Sequence, residues 1–162
     1  MINARSETAS VKPAFRDALK YRPCLIPADG FYEWQCGAGG RKQPLYFKVG
    51  DGGVFAFAGL WDSWQSPQGH AVETCTILTT TPNELLADVH DRMPVILAPE
   101  HYGRWLNPSM QDAASAVGLL KPCDSNLMRR YPVSTRVNLV ANDDPACSYP
   151  VALPATTAGL FD

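Results

Sequence analysis

Residues 24–35 read CLIPADGFYEWQ, and they contain a pattern that recurs along most of the chain. The apolar run 24–27 is typical of a short strand, and the Asp29-Gly30 pair that follows it is a turn signal. The aromatic-rich run 31–35 is typical of a second strand. Short strands separated by turns therefore form the first expectation for the fold.

The rest of the sequence continues in the same way. Further strands are predicted at 45–49, 54–60, 74–80, 93–97 and 131–134, and helices at 10–20, 83–89, 100–106 and 111–120. The runs 31–35 and 45–49 are expected to form a hairpin across the glycine-rich loop 37–42.

These elements predict an α+β fold, with a curved, mostly antiparallel sheet or partial β-barrel and flanking short helices. We expect one domain over residues 1–140 and a loosely ordered tail over residues 141–162.

Composition excludes several classes of protein. The chain has 162 residues, 46% apolar and 19% charged, so it can bury a core and is not disordered throughout. The net charge of −2 excludes a globally basic nucleic-acid binder. Basic residues are concentrated in 1–22 and 121–136, which fits either a local anion-binding cleft or ordinary solvated surface charge. No run of 18 apolar residues occurs, so no membrane association is expected.

The reactive residue types show no metal or cofactor pattern. The five cysteines and three histidines have no C-x-x-C or paired spacing, so we expect neither a metal site nor a cofactor. The cysteines are widely spaced and odd in number, which favours reduced thiols and a cytoplasmic protein.

The first candidate site is the segment 3–9, NARSETA. In a strand, Asn3, Arg5 and Glu7 would lie on one face. An arginine beside an asparagine suits a phosphate with a neighbouring hydroxyl or carbonyl. The alternative is a frayed polar terminus that leads into a helix cap.

The second candidate is Glu33, which lies among Phe31, Tyr32 and Trp34. A carboxyl that loses solvation among aromatic rings has a raised pKa and can serve as an acid or base. Trp34 or Tyr32 could stack on an unpaired base. The alternative is a surface glutamate on a strand whose aromatic residues face the core.

The third candidate is the segment 90–94, HDRMP. Histidine is the side chain best suited to transfer protons near neutral pH, which makes His90 a candidate, and Arg92 could bind a phosphate. The alternative is a histidine at a helix end beside an arginine in an ordinary ion pair.

Taken together, the motifs resemble one family, the SOS-response-associated peptidase (SRAP) proteins, which process abasic sites in DNA. The resemblance rests on five segments that occur in the family's order: NARSETA (3–9), RPCLIPADGFYEW (22–34), FAFAGLW (55–61), TILTT (76–80) and HDRMPVIL (90–97). It extends from Asn3 to about Val137 and implies an SRAP-like fold.

The resemblance implies a function. Family members bind single-stranded DNA at abasic sites and form a covalent thiazolidine cross-link through an N-terminal cysteine, whose α-amine and thiol react with the sugar aldehyde. It also implies lyase and self-processing peptidase (hydrolase) activity, in DNA repair and the SOS response. The protein is then expected to be a cytoplasmic monomer that associates with the nucleoid when bound to DNA.

The sequence departs from the family pattern at its start. Position 2 is Ile2 instead of cysteine, and family members carry several tens of residues before the NARSET motif. We therefore expect this chain to lack the family's N-terminal segment, as a fragment or through a start codon placed too late. The alternative is a shortened relative that only binds single-stranded DNA without catalysis.

The resemblance also assigns roles to individual residues. It implies catalytic roles for Glu33, His90 and Asn3. It implies DNA contacts for Arg5, Arg92, Trp34 and Thr79.

Overall fold

The structure is a computed structural model, and it describes residues 1–107 and 116–152. Two sheets dominate it. The strands of the first, six-stranded sheet are β1 (Asn3–Arg5), β2 (Pro23–Ala28), β5 (Phe55–Gln65), β6 (Ala71–Thr80), β7 (Met93–Pro94) and β8 (Ile96–Leu97). The strands of the second sheet are β3 (Phe31–Cys36), β4 (Lys42–Val49) and β9 (Met128–Pro132).

The first sheet curls because two of its strands separate. Strands β5 and β6 pair over 59–65 and 71–77. Beyond that point the segment 93–97 lies between them, with β7 paired to β6 and β8 paired to β5. At the change of partner, Val95 donates its N–H to Leu78 and accepts from the N–H of Ala58. The sheet thus becomes a half-barrel. Residues 90–92 directly precede the inserted segment in the chain.

The turn after β2 carries the chain from the first sheet to the second. Gly30 lies in this turn, and a Cβ atom placed there would be 2.2 Å from the Tyr46 ring. The Tyr46 hydroxyl donates to Asp29 at 3.1 Å on the same turn. Glycine is therefore required by the close approach of an aromatic ring.

Two cores lie on opposite faces of the first sheet. The outer face packs against three helices, α1 (Ser6–Ala9), α2 (Arg16–Tyr21) and α3 (Tyr102–Leu106), through residues such as Leu19, Leu78 and Trp105. The inner face packs against the second sheet through Phe47 and Phe57, among others. Neighbouring residues of one strand serve different cores, as period-two alternation requires.

The predicted fold class is confirmed: the sheets are curved, all strand pairs but one are antiparallel, and the helices are short. The exception is β1, which runs parallel to β6. The hairpin across 37–42 is confirmed as β3 and β4. The predicted last strand at 131–134 is displaced, since β9 covers Met128–Pro132.

The prediction of one helix over 10–20 is wrong. The regular helix α1 ends at Ala9, turns follow, and α2 begins only at Arg16. Pro13 has no N–H to donate to the carbonyl of Ala9, so α1 does not continue as a regular helix through this point. Val11, an apolar residue within the predicted helix, is 69% exposed.

The predicted helix over 83–89 is also wrong, because 84–89 form successive turns. Asn83 nevertheless acts as a cap, since its side chain accepts from the N–H of Leu86 at 3.1 Å. The helix predicted at 100–106 is confirmed as a 3₁₀ turn, Pro99–His101, followed by α3. Residues 111–115 of the helix predicted at 111–120 lie outside the described residues.

In the segment predicted as a tail, residues 145–148 form a 3₁₀ turn in which Cys147 is buried. The N–H of Val151 donates to the carbonyl of Pro132 at 2.9 Å. Residues 153–162 lie outside the described part of the chain. Among the helices that the structure describes, none has the length and apolar character needed to span a membrane.

Candidate functional site

The space between the two sheets brings together residues from three distant motifs. Ala4 of β1 is buried in the outer core, so its neighbours Asn3 and Arg5 lie on the inner face of the first sheet. On the second sheet, Glu33 is paired with Leu45, which belongs to the inner core. Asn3, Arg5 and Glu33 therefore lie on the facing sides of the two sheets, and the space between these two faces is called the cleft below.

Glu33 has the electrostatic character of an acid or base. Burial raises the pKa of its carboxyl, the neighbouring His90 opposes that rise, and Asp91 adds to it. The prediction of a raised pKa from the aromatic surroundings agrees in direction. The charge interaction with His90 also places these two predicted residues in one neighbourhood, although 57 positions separate them in the sequence.

His90 is held by the turn that follows it. The N–H of Arg92 donates to His90 Nδ1 at 3.0 Å, which corresponds to a neutral ring with its proton on Nε2. The same Nδ1 lies 3.0 Å from the carbonyl oxygen of Arg92 and 3.3 Å from Asp91 Oδ1. A proton that arrives on Nδ1 therefore also finds acceptors, so the turn accommodates both charge states of the ring.

Arg92 forms an ion pair, as in the alternative stated for segment 90–94, and the sequence did not indicate its partner, Glu7. Its Nη1 and Nη2 donate to the two carboxylate oxygens of Glu7 at 2.7 and 2.9 Å. Nη2 also donates to the carbonyl of Thr79, and the buried Nε has no hydrogen-bond partner in the described residues. Arg92 holds the pKa of the Glu7 carboxyl below its usual value. The role of Arg92 as a phosphate ligand stays a prediction, and any phosphate would share this guanidinium with Glu7.

Arg5 and Asn3 are the exposed polar side chains of the cleft edge. Both are exposed on β1, and among the described residues neither side chain has a hydrogen bond or ion pair. The charge of Arg5 also lowers the pKa of Glu7, which places Arg5 near the Glu7–Arg92 pair. Segment 3–9 does not form a continuous strand as expected: α1 begins at Ser6, and Glu7 turns toward Arg92.

Thr79 joins three elements at the end of β6. It is paired with Arg5 of β1 and with Pro94 of β7. Its hydroxyl is buried and donates to the carbonyl of Ala4 at 3.4 Å. This arrangement supports the neighbouring Arg92, and a direct DNA contact by Thr79 stays a prediction.

Trp34 lies on the face of β3 opposite to Glu33, as alternation requires. Its ring centroid is 6.4 Å from that of Tyr32, and its Nε1 donates to Asn138 Oδ1 at 2.7 Å. The structure therefore does not bring Trp34 together with the cleft residues. A DNA contact by Trp34 stays a prediction, at a position outside the cleft.

Residues that no motif indicated hold the segment that carries His90. Arg130 of β9 donates to both carboxylate oxygens of Asp88 at 2.6 and 2.9 Å and to the carbonyl of Leu85 at 2.7 Å. Gln35 donates to Asp88 at 2.8 Å. The Asn83 amide donates to the carbonyl of Cys123 at 2.9 Å. These contacts link residues 40 or more positions apart, so local sequence carries no signal for them.

The described residues contain no group of three histidine, cysteine, aspartate or glutamate side chains arranged to hold a metal ion. What the cleft does offer is a carboxyl with a raised pKa, an imidazole beside it and an exposed guanidinium on the facing edge. Such a set can bind an anionic ligand and transfer protons to and from it.

Solved structures with the same architecture define the class of this fold. A protein from Bacteroides thetaiotaomicron has a TM-score of 0.86 and 35% sequence identity, over 93% of this chain and 66% of that protein. A protein from Bordetella bronchiseptica has a TM-score of 0.73 and 34% identity, over 82% of this chain and 64% of that protein.

The family follows from the sequence comparison. Residues 1–140 match the family described as SOS response associated peptidase (SRAP), and the chain belongs to that family. It is 49% identical over 145 residues to the abasic site processing protein YoqW of Bacillus subtilis. It is 34% identical over 172 residues to the abasic site processing protein HMCES of Gallus gallus. The chain spans 65% of the length of YoqW and 50% of that of HMCES.

Proposed function

We propose that this protein processes abasic sites in single-stranded DNA, and that the damaged strand binds in the cleft between the two sheets. The observation that carries this proposal is the half-buried Glu33, whose pKa is raised beside His90. The names of the relatives YoqW and HMCES, both abasic site processing proteins, support it.

DNA binding is assigned to the cleft edge. The Arg5 side chain is exposed and has no hydrogen-bond or ion-pair partner in the described residues. Its guanidinium can form a bidentate contact with a phosphate. Asn3 lies two residues away on the same face, where its amide can hydrogen-bond the opened sugar. Because local charge is sufficient for a short single strand, the net charge of −2 is no obstacle.

Proton transfer is assigned to Glu33 and His90. An amine that adds to the aldehyde of an opened abasic sugar forms a carbinolamine. The hydroxyl group of this carbinolamine must receive a proton before it can leave as water. A carboxyl whose pKa lies above its usual value retains that proton closer to neutral pH. His90 can accept or return a proton, since its turn accommodates both charge states of the ring.

The finer chemistry that we propose is a thiazolidine cross-link. The α-amine of an N-terminal cysteine and the sugar aldehyde form an imine with loss of one water, and the cysteine S–H then adds across the C=N bond. Position 2 of this sequence is Ile2, so this step is proposed for a protein that carries a cysteine at its N-terminus. We further propose that this protein acts as a monomer in the cytoplasm.

The test uses the protein from its native source and a single-stranded oligonucleotide with one abasic site. Covalent product is followed over time on a denaturing gel. We expect product with the abasic strand and none with a tetrahydrofuran analogue, which has no aldehyde. The Glu33→Gln variant should react about 10²- to 10⁴-fold more slowly, the range lost when a general acid or base is removed.

The matched control is Glu100→Gln, which neutralises a carboxyl in the 3₁₀ turn 99–101, away from the cleft. It should react at the rate of the unmodified protein. An unchanged rate in Glu33→Gln would remove Glu33 from the mechanism. Binding of the abasic strand without any covalent product would favour the alternative, a relative that binds DNA without catalysis.

A further inference from the structure

We propose that Glu7 is a positioning residue, which sets the orientation and the tautomer of His90 by holding Arg92. This inference rests on the proposed function, because it gives His90 a task in proton transfer. It concerns a residue to which neither the motif reading nor the names of the relatives assign a role.

The first step is the contact between Glu7 and Arg92. Both carboxylate oxygens of Glu7 accept from Arg92, at 2.7 and 2.9 Å. The Arg92 side chain is only 17% exposed, whereas that of Glu7 is 47% exposed. The pair therefore fixes the planar guanidinium in one orientation, and charge-assisted pairs of this geometry are the strongest of their kind.

The second step is the contact between Arg92 and His90. The side chain of Arg92 reaches Glu7 and the Thr79 carbonyl, while its backbone N–H donates to His90 Nδ1 at 3.0 Å. A fixed Arg92 side chain restricts the backbone of the same residue. The N–H and the carbonyl oxygen of Arg92 each lie 3.0 Å from His90 Nδ1, so the position of this backbone decides which of the two the ring nitrogen bonds and thereby the tautomer.

The third step is that the segment carrying Glu7 is anchored in the core. Helix α1 follows β1 directly, and its Ala9 is completely buried in the outer core. Glu7 thus transmits the position of the first sheet to the turn 90–92. The charged groups that act on the site are Glu33 from β3, Asp91 and Arg92 from the turn itself, and Glu7 and Arg5 from the β1–α1 segment.

A positioning role predicts that Glu7→Gln slows processing without weakening the affinity for DNA. Glu7→Gln removes a negative charge at the cleft edge, so affinity for a DNA strand should stay the same or increase. The same variant frees Arg92 to reorient, so processing should slow by about ten- to a hundred-fold, as expected when reacting groups are misplaced. A purely structural ion pair would not slow the reaction of the folded molecules.

The test combines two measurements. Nitrogen-15 chemical shifts of the His90 ring give the tautomer ratio without any DNA. Gel-monitored reaction with the abasic oligonucleotide gives the rate. We expect the tautomer ratio of His90 to change in Glu7→Gln and the rate to fall with it. Glu7→Asp, which keeps the charge but shortens the reach, should fall between this variant and the unmodified protein in both measurements.

The control is Asp144→Asn, which neutralises an acid in another ion pair, with Arg136. It should change neither measurement. A tautomer ratio that is unchanged in both Glu7 variants would overturn the inference, even if the unmodified protein reacts. Absence of any reaction in the unmodified protein would instead contradict the proposed function, while the shifts still test the link from Glu7 to His90.

Discussion

At the scale of single residues, Glu33 is the most informative position in the protein. Its carboxyl is half-buried beside apolar residues, and burial raises its pKa. Such a position costs stability when the carboxyl is ionised, because the charged form loses hydration. A destabilising group retained in a cleft is the pattern expected of a functional acid or base.

This cost predicts how stability depends on pH. A raised pKa in the folded state means that the folded protein binds the proton more tightly than the unfolded chain. The stability that the Glu33 carboxyl contributes is fully present when the pH is below its usual pKa of 4.5. It is lost as the pH rises through the pKa of the folded state. The variant Glu33→Gln should therefore be more stable than the unmodified protein at neutral pH, by a few degrees in Tm.

The measurement is thermal unfolding of both proteins between pH 4 and pH 8. The advantage of Glu33→Gln should grow as pH rises and disappear toward acid pH. A Tm difference that stays constant over this range would mean that the pKa of Glu33 is not raised in the folded state.

The sequence predicted some residues of the site better than others. Glu33 and His90 could be identified because local surroundings or chemical type distinguish them. The partner of Arg92 could not, since Glu7 is 85 positions away and becomes a neighbour only because β1 pairs with β6. Trp34, for which the resemblance implies a DNA contact, is adjacent to Glu33 in sequence, and alternation places it on the other face of β3.

At the scale of elements, the segment 81–92 carries His90 without regular secondary structure. Contacts hold it at three points: Asn83 at its start, Asp88 near its middle and Arg92 at its end. Side-chain contacts thus hold this segment in place of the regular backbone hydrogen bonds of a helix. Hydrophobic spacing predicted a helix here because it reports which residues are buried, and it does not report whether the turns are continuous.

The middle contact can be tested separately. Asp88→Asn removes the charge that receives both Arg130 hydrogen bonds, in a pair whose side chains are 51% and 27% exposed. An ion pair of this exposure contributes at most about 1 kcal/mol. Amide exchange within 84–90 should therefore accelerate by up to about fivefold, as followed by hydrogen–deuterium exchange and mass spectrometry.

Two comparisons make this result specific. Peptides from β5 should exchange as in the unmodified protein, because the first sheet does not depend on Asp88. Asp143→Asn, which neutralises an exposed acid without a contact in the described residues, should leave the whole pattern unchanged. Equal exchange of 84–90 in both variants would show that Asp88 does not hold the segment.

At the scale of the whole molecule, the fold is a way of placing a cleft between two sheets. The turn at Gly30 moves the chain from one sheet to the other, so that the inner faces of β1 and β3 lie opposite each other. The strands and the antiparallel pairing could be predicted, because alternation and turn residues are local signals. The parallel β1–β6 pair and the insertion of 93–97 could not, since both depend on distant partners.

At the same scale, the chain spans only part of the length of its relatives. This chain spans 65% of YoqW and 66% of the Bacteroides thetaiotaomicron protein. The residues proposed for DNA binding and proton transfer all lie within it.

The central claim is that this cleft promotes covalent capture of an abasic strand. Its most direct test is the intact mass of the protein from its native source, before and after incubation with an abasic single-stranded oligonucleotide. The account predicts that incubation increases the mass of the protein by the oligonucleotide mass minus one water. A mass that stays unchanged after incubation with the abasic strand would contradict it.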